Sequence, residues 1–515
     1  MGLLGLGLGL LLLSVILINW GIKMVIKIWW RPKMLEKKLR KQGDFHVLPY
    51  KIPYGNVKEM RELGMKAKSK AMQLNHDIAP RLDPFLQGLT TTFKKPIVMW
   101  YGGIPNVVIM DPKLVREILT KKMEFKKPEI TPTMKFFLKG LANIDGDKWS
   151  LHRKIINPAF HIEKLKGMLP SFMVCCEEMV EKWEKMIGEE DCVELDVLIE
   201  FQKLTADIIS RAAFGSNLQE GNLIFALQRQ QGKYFLQSLF SLTSPWSRLL
   251  LSKLKKKMMQ IHREIQVILE GVIKKREKAI LSGSGDQKDL LDLLLKSNFD
   301  EIENNKNNKG MSREDVIEEC KLFYFAGHET TANLLTWTII CLSMDPKWQD
   351  KARKEVLQLI GKNRPTFDDL NQLKIVNMIL LEVLRLYPPT SLMRTVQEET
   401  KIGDYTFPGG IMFTIPTYLI HRDPNLWGED ANEFNPDRFS DGISKATKDQ
   451  SCFFAFGWGP RICIGQNFAM LEAKLALVLI LQHFSFGLSS SYAHSPHVSI
   501  TLQPQFGAQI ILNKI

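Results

Sequence analysis

The chain has 515 residues, 45% of them hydrophobic and 24% charged, an ordinary globular composition that leaves open several average domains or one large catalytic domain. Seven scattered cysteines (Cys175, Cys176, Cys192, Cys320, Cys341, Cys452, Cys463) with no CxxC spacing argue against a disulfide framework or a zinc site, and imply a reducing compartment for the bulk of the chain. The net charge of +13 does not point to nucleic acid, because residues 23–41 set eight Lys or Arg against Glu36 alone and no basic face interleaved with stacking aromatics stands out elsewhere.

Residues 1–22 contain no charge. As a helix they would span roughly 33 Å, enough for a hydrocarbon core of about 30 Å. A cleaved signal peptide fits poorly: the basic residues follow the apolar run, the run is long, and no small-residue cleavage site is evident. The positive flank keeps everything after Lys23 on the cytosolic side, which makes 1–22 a signal anchor. Residues 23–55 read as a basic juxtamembrane linker, with Trp29 and Trp30 at the interface and the cations against anionic headgroups of membrane lipids.

Residues 97–110 (IVMWYGGIPNVVIM) carry β-branched and aromatic runs split by Gly-Gly and Pro, a hairpin signal. Asp111-Pro112 then caps a helix over 113–120. Residues 145–160 place Trp149 and Arg153 at i and i+4, so an indole donor and a guanidinium can converge on one anion; taken alone, the pattern equally fits an amphipathic surface helix. From about 193 to 280 the pattern is helical, with an apolar stripe at Ile261, Ile265, Ile268, Leu269, Val272 and Ile273 and solvated basic faces at 253–257 and 274–278. Residues 282–286 and 301–310 are loops by composition, and no repeat or low-complexity linker divides the body 56–515, which reads as one catalytic domain.

A long helix is expected over 312–343, capped by Ser312 with Asp315 three positions on. Its centre, AGHETT (residues 326–331), puts a glycine and two threonines where helix propensity is poor. Such local conflicts concentrate at functional sites, although a packing notch between helices would read the same way. Glu382 and Arg385 lie at i and i+3 among leucines on a helix ending before Pro388. A charged pair in such company must be paired to be buried.

Last comes FGWGPRICIG, residues 456–465. From average residue usage, Phe456, Gly459, Arg461, Cys463 and Gly465 at this spacing arise by chance on the order of once in 10^4 chains of this length. Gly457, Gly459 and Gly465 allow backbone shapes and close approaches that side chains block, and Pro460 stiffens the turn. Residues 466–481 form an apolar helix, so Cys463 precedes a helix N-terminus, where the dipole and nearby Arg461 favour a thiolate. A buried structural cysteine is the plain alternative. The spacing favours an axial haem ligand, with Arg461 able to pair a haem propionate.

FGWGPRICIG resembles the haem-binding signature of the cytochrome P-450 superfamily, and WWRPKMLEKKLRKQG, after the anchor, resembles the opening of the plant seventy-two family, the group that includes secologanin synthase. Members usually continue with a Gly-Pro-rich hinge, where this chain has DFHVLPYKIP. The resemblance implies a mainly α fold with small β-sheets (α+β), the triangular helical haem domain of the superfamily behind one N-terminal transmembrane helix. It implies haem b (iron protoporphyrin IX) with its axial thiolate from Cys463. Phe456 and Gly465 complete the haem loop. Trp149, Arg153, Arg394 and Arg461 fall on propionate-binding positions, with His152 able to assist the first two. Glu382, Arg385 and Arg438 fall on the E-x-x-R triad that locks the core beneath the cysteine loop. On the distal side the resemblance places Thr330, donating hydrogen bonds to bound oxygen, and Glu329, relaying protons. His328 is expected to face substrate or support the site.

The implied reaction is a monooxygenation of a lipophilic small molecule, a terpenoid or related plant metabolite, using O2 and electrons from NADPH through a membrane-bound NADPH–cytochrome reductase. Gly5, Gly7 and Gly9 lie in the anchor and form no dinucleotide loop, so the electrons come from outside the chain. The expected location is the endoplasmic reticulum membrane, single-pass, with the catalytic domain in the cytosol. Pocket walls are expected from residues 126–142, 323–328, 389–393 and 492–497, made apolar by Phe136, Phe137, Phe323, Phe325, Leu392 and Met393. Two rivals are a same-fold haem isomerase or dehydratase that needs no O2, and a non-catalytic haem- or sterol-binding membrane protein. The presence of Thr330 argues against the first, and the relay residues and donor face against the second.

Overall fold

Helix-forming runs dominate the chain and the strands are few and short, so its architecture is mainly α with small sheets. The computed structural model describes residues 2–93, 95–128, 133–215, 218–241, 247–282, 289–304, 310–447 and 452–515. Its contacts divide it into two units, Met1–Ser69 with Asp83–Pro128 and Leu392–Pro416, and Lys70–Leu82 with Glu129–Ser391 and Thr417–Ile515.

The first unit begins with the apolar helix Gly2–Val25, which ends three residues beyond the expected span. Among the described residues one helix is long and apolar enough to cross a membrane, and it is this one with its continuation. A π turn, Ile26–Trp30, carries it without a break into the basic helix Arg31–Gln42. Trp29 and Trp30 are exposed on the π turn, and Glu36 pairs with Lys33 at 2.8 Å and Arg40 at 3.1 Å. The Tyr50 hydroxyl donates to the carbonyl of Ile28. At Gly103 a Cβ would stand only 3.2 Å from the carbonyl oxygen of Lys27.

The hairpin expected over 97–110 forms from Ile97–Tyr101 and Ile104–Val108, turning at Gly102 with φ 56°. It belongs to a six-stranded sheet in the order His46–Val47, Ile97–Tyr101, Ile104–Val108, Met412–Ile415, Leu392–Val396, Phe125–Lys126. The flanking helix is Pro112–Thr120, whose first N–H groups are capped by the Asp111 carboxylate.

The second unit is a helical body. Its central element is Arg313–Met344, opened by the Ser312–Asp315 capping box and about 48 Å long. This helix is buried on almost every side, as expected of one apolar all round. Packed with it in one core are Ile162–Ile187, Val197–Ile208, Lys374–Leu386 and Gln466–His483, through residues such as Phe172, Phe201, Leu335, Leu384 and Leu475. A three-stranded sheet joins Phe484–Leu488, Gln509–Lys514 and Cys192–Asp196.

That last strand corrects the expectation of helix from residue 193. Cys192–Asp196 is held by pairing with residues 509–513, more than 300 positions away, which local periodicity does not register. Helix resumes as Val197–Ile208, widens into a π segment over Ile209–Ala213, and continues as Leu218–Ser241 and Ser247–Leu281. Ile261, Ile265, Leu269, Val272 and Ile273 are buried as the stripe requires. The lysines at 253–257 and 274–278 are exposed, but Arg276 turns inward to Asp289 and Asp292. Of the expected loops, residues 301–304 instead end the helix Leu290–Asn304, and 283–286 and 305–309 lie outside the described residues.

Candidate active site

The cysteine loop is built by its own backbone. Gly457 (φ 77°) and Gly459 (φ 70°) occupy the left-handed region that admits glycine without strain. A 3-10 turn, Gly459–Arg461, follows, and the Cys463 N–H donates to the Phe456 carbonyl at 2.8 Å, closing the loop. Gly465 has an ordinary φ of −85°. A Cβ there would lie 4.0 Å from the Cys463 sulfur and 3.9 Å from Phe160, ordinary contact distances, so the surrounding protein does not itself demand glycine at this position. The helix Gln466–His483 starts directly after it.

The Cys463 side chain is accessible, yet the protein around it is dense enough that burial pushes its thiol above the ordinary range. The N–H of Gly465 and the charge of Arg153 pull the other way. Here the sequence expectation needs correcting: the cation acting on the sulfur is Arg153, not Arg461. Arg153, on the helix Gly146–Ile156, donates from Nη1 to the Ile462 carbonyl at 2.9 Å. Arg461 turns away to Asp145 and to the Ile144 carbonyl, and its guanidinium lies 4.6 Å over the Trp149 ring. Trp149, Arg153 and Arg461 therefore converge around one loop, with the Nε of Arg461 buried and lacking a protein partner. His152, expected to assist them, leaves for the opposite side and pairs with buried Glu319. Arg394 is buried on the strand Leu392–Val396 of the first unit, its Nη1 donating to the Met393 carbonyl at 2.8 Å.

Thr330 and Phe456 line one cavity of about 30 Å³ together with Thr331, Asn333, Leu334, Leu384, Tyr387, Pro389 and Ala469, so the AGHETT segment and the cysteine loop meet. The helix is unbroken there. Thr330 donates to the Ala326 carbonyl at 2.7 Å, and a Cβ at Gly327 would strike Ile209 of the π segment at 2.7 Å. Gly327 is thus a packing notch, whereas Thr330 borders the cavity. Glu329 accepts from the Thr501 hydroxyl at 2.9 Å, and Thr501 accepts from Asn333 at 2.8 Å. Burial raises the Glu329 pKa above the usual carboxyl value despite that hydrogen bond. His328 packs tilted against Phe225, ring centroids 4.7 Å apart, and burial lowers its pKa to about 4, so it is a neutral packing group.

Glu382 and Arg385 are fully buried and bonded through two parallel contacts of 2.7 Å. Arg385 also donates to the carbonyls of His421, Ala431 and Glu433. Arg438 stands 3.7 Å from Glu382 and bonds chiefly to Asp430. The sequence reading missed His421. Its Nε2 accepts the Phe454 N–H at 2.9 Å, which leaves Nδ1 to donate to the Arg385 carbonyl at 3.1 Å. This imidazole, held neutral by burial with a pKa of about 3, ties the ion pair to the approach of the cysteine loop. A histidine and arginine closing the buried run TYLI were the available signal.

The expected walls need two corrections. Phe325 meets Phe137 at 4.9 Å, but Phe323 turns to Phe160. In the C-terminal hairpin, the turn residues Ile500 and Thr501 reach the site, whereas Tyr492 bonds His494, which in turn bonds the Asn75 carbonyl. Residues 129–132 of the first expected wall lie outside the described residues.

A single soft sulfur on a glycine-cradled loop, flanked by arginines, suits an iron whose other ligands come from a porphyrin. Among the described residues no group of three His, Cys, Asp or Glu could hold a bare ion instead. The site thus defines a haem-thiolate enzyme. The Cytochrome P450 family model matches residues 72–506, and the chain belongs to that family. It is 50% identical over 499 residues, 96% of each chain, to Cytochrome P450 72A397 of Kalopanax septemlobus. It is 49% identical, again over 96% of each, to 11-oxo-beta-amyrin 30-oxidase of Glycyrrhiza uralensis. With Secologanin synthase 1 of Catharanthus roseus it shares 46% identity over 96% of this chain and 95% of that one. Retinoic acid bound cyanobacterial CYP120A1 has the same fold, with a TM-score of 0.72 at 24% identity over 84% of this chain and 94% of that one. The protein is a haem-thiolate monooxygenase, of a family that uses O2, a redox partner and lipophilic substrates.

Proposed function

We propose that this monooxygenase oxidises a terpenoid or related lipophilic plant metabolite, with Cys463 as the axial ligand of haem b and electrons delivered from NADPH by a membrane-bound NADPH–cytochrome reductase. The observation that carries the site reading is the shared cavity of Thr330 and Phe456, which joins the distal helix to the loop that bears the sulfur. The substrate class is supported by the names of two relatives, 11-oxo-beta-amyrin 30-oxidase and Secologanin synthase 1.

When bound, the haem supplies oxygen activation and C–H oxidation. The chain's own residues do the rest. Arg153, next to the loop, lends positive charge to the Cys463 sulfur. Arg461 Nε and Trp149 hold a propionate, and Glu382, Arg385 and Arg438 keep the ground beneath the loop rigid. Glu329, which keeps its carboxyl proton to higher pH than a free glutamate, is the proton source beside Thr330 on the same helix, its carboxylate placed by the hydrogen bond it accepts from Thr501. The reductase docks where Gly457, Trp458, Gln466, Met470 and Lys474 line a groove of about 330 Å³ beside the cysteine loop. Residues 56–515 act as one catalytic domain in the cytosol, behind the 23–55 linker and the 1–22 anchor in the endoplasmic reticulum membrane.

The test is the absorption spectrum of the reduced, carbon monoxide-bound protein. A Soret band strongly shifted to the red is expected, and its loss in Cys463→Ala. A normal-position band in the unsubstituted protein would overturn the ligand assignment. Binding-difference spectra against a terpenoid panel then identify the substrate.

A further inference from the structure

The long helix carries three ionisable residues, Glu318, Glu319 and Lys321, in the middle of its buried first half. Burying charges among apolar neighbours costs free energy that their mutual attraction does not reliably return, so such groups call for a role in position. The Lys321 ammonium has no exposed surface and spends its N–H groups on Glu318 Oε2 at 2.6 Å, His262 Nδ1 at 3.1 Å and the Phe136 carbonyl at 3.2 Å. Because Nδ1 of His262 accepts, its Nε2 carries the proton and faces Glu318 Oε1 at 3.5 Å, which closes a triangle of three side chains.

The carbonyl of Phe136 is held a second time. Gln231, fully buried on Leu218–Ser241, donates from Nε2 to it at 2.9 Å and to the Met258 carbonyl at 3.2 Å. On either side the same segment is tied again: Thr133 bonds Ser238 at 2.8 Å, and the Leu141 N–H donates to Glu319 at 3.0 Å. Gly140 (φ 98°) has no room for a Cβ beside that carboxylate, which would lie 2.8 Å away. What these bonds hold in place is Phe137, packed on Phe235 and edge-on to Phe325, one turn before Glu329.

We propose that Gln231 and Lys321 are positioning residues which, through the Phe136 carbonyl, set how far the Phe137–Phe325 aromatic wall reaches into the substrate pocket, and so determine the size of molecule the enzyme accepts. The proposal deepens the monooxygenase reading and rests on it for the pocket's purpose. Two variants test it. Gln231→Leu strands no charge, and the double variant Lys321→Met with Glu318→Gln removes both charges together. The probes are a small haem-binding azole, 4-phenylimidazole, and a bulky one, clotrimazole, with spectral Kd as the readout.

Each variant keeps its carbon monoxide spectrum, binds 4-phenylimidazole within about twofold of the parent, and binds clotrimazole at least fivefold tighter, because the wall gives way. Amide hydrogen exchange over residues 134–139, which needs no haem, quickens at least tenfold. A Gln231→Leu protein with both the Kd ratio and the exchange unchanged overturns the proposal. Failure of the unsubstituted protein to show the red-shifted band overturns the haem reading instead, and the exchange experiment still decides the role of the two side chains.

Discussion

Thr330 combines two features that helix interiors seldom tolerate together. It lines a cavity, and it spends its hydroxyl proton on the carbonyl four residues back, so a lone pair of Oγ1 is what it offers outward. To donate instead, it must rotate and be resupplied, and in the proposed relay Glu329, whose pKa burial raises, is the source. Thr330→Ala is therefore expected to keep NADPH consumption within about threefold of the parent while product falls and hydrogen peroxide rises. Stoichiometry of NADPH, peroxide and product checks it, and unchanged coupling would remove Thr330 from the relay. At this scale much of the site was legible, because the cysteine loop writes its chemistry in ten consecutive residues. The role of Arg153 was less so: sequence proximity favoured Arg461 as the neighbour of the sulfur, but the turn directs that side chain at Asp145. His421 was invisible because its two partners, Phe454 and Arg385, come from segments 33 and 36 positions away.

Elements fit one another here through few, exacting contacts. Arg385 reaches five acceptors spread over Glu382, His421, Ala431 and Glu433, so one guanidinium staples a helix to the chain that leads into the cysteine loop. Glu382→Ala would leave that charge unpaired and fully buried, at a cost of about 3–5 kcal/mol. Little haem-loaded protein is expected, measured as the ratio of Soret to protein absorbance; a fully loaded variant would refute the ion-pair argument. A second fit is Gly327 against Ile209. Gly327→Ala should destabilise by about 1–3 kcal/mol through overpacking, and adding Ile209→Val, which removes the Cδ1 atom in the way, should restore part of the loss, as read by thermal unfolding. Lack of any rescue would show that the notch is not what the glycine serves. The capped helices and the 97–110 hairpin were readable because their signals are local. The Cys192–Asp196 strand and the π segment were not, since the first depends on a distant partner and the second on a packing demand from the long helix.

For the molecule as a whole, two separate features suit a membrane: an apolar helix long enough to cross one, and a basic segment with exposed Trp29 and Trp30. Hydrophobic insertion is insensitive to salt, whereas attraction of lysines to anionic headgroups is screened. A chain lacking residues 1–22 is expected to sediment with phosphatidylserine-containing vesicles in dilute buffer and to leave them at about 1 M salt, where the screening length is about 3 Å; the full chain stays bound in both. Equal retention of the truncated chain at high salt would show that other apolar surface holds it. The π turn between these devices has a mechanical meaning as well. With Ile28 engaged by Tyr50 and Lys27 pressed on the Gly103 turn, the first unit cannot swivel freely about the span. Each residue inserted between Val25 and Arg31 would swing it by about 100° around the span axis. Five residues thus set the compass bearing of the rest of the first unit about the axis of the apolar helix.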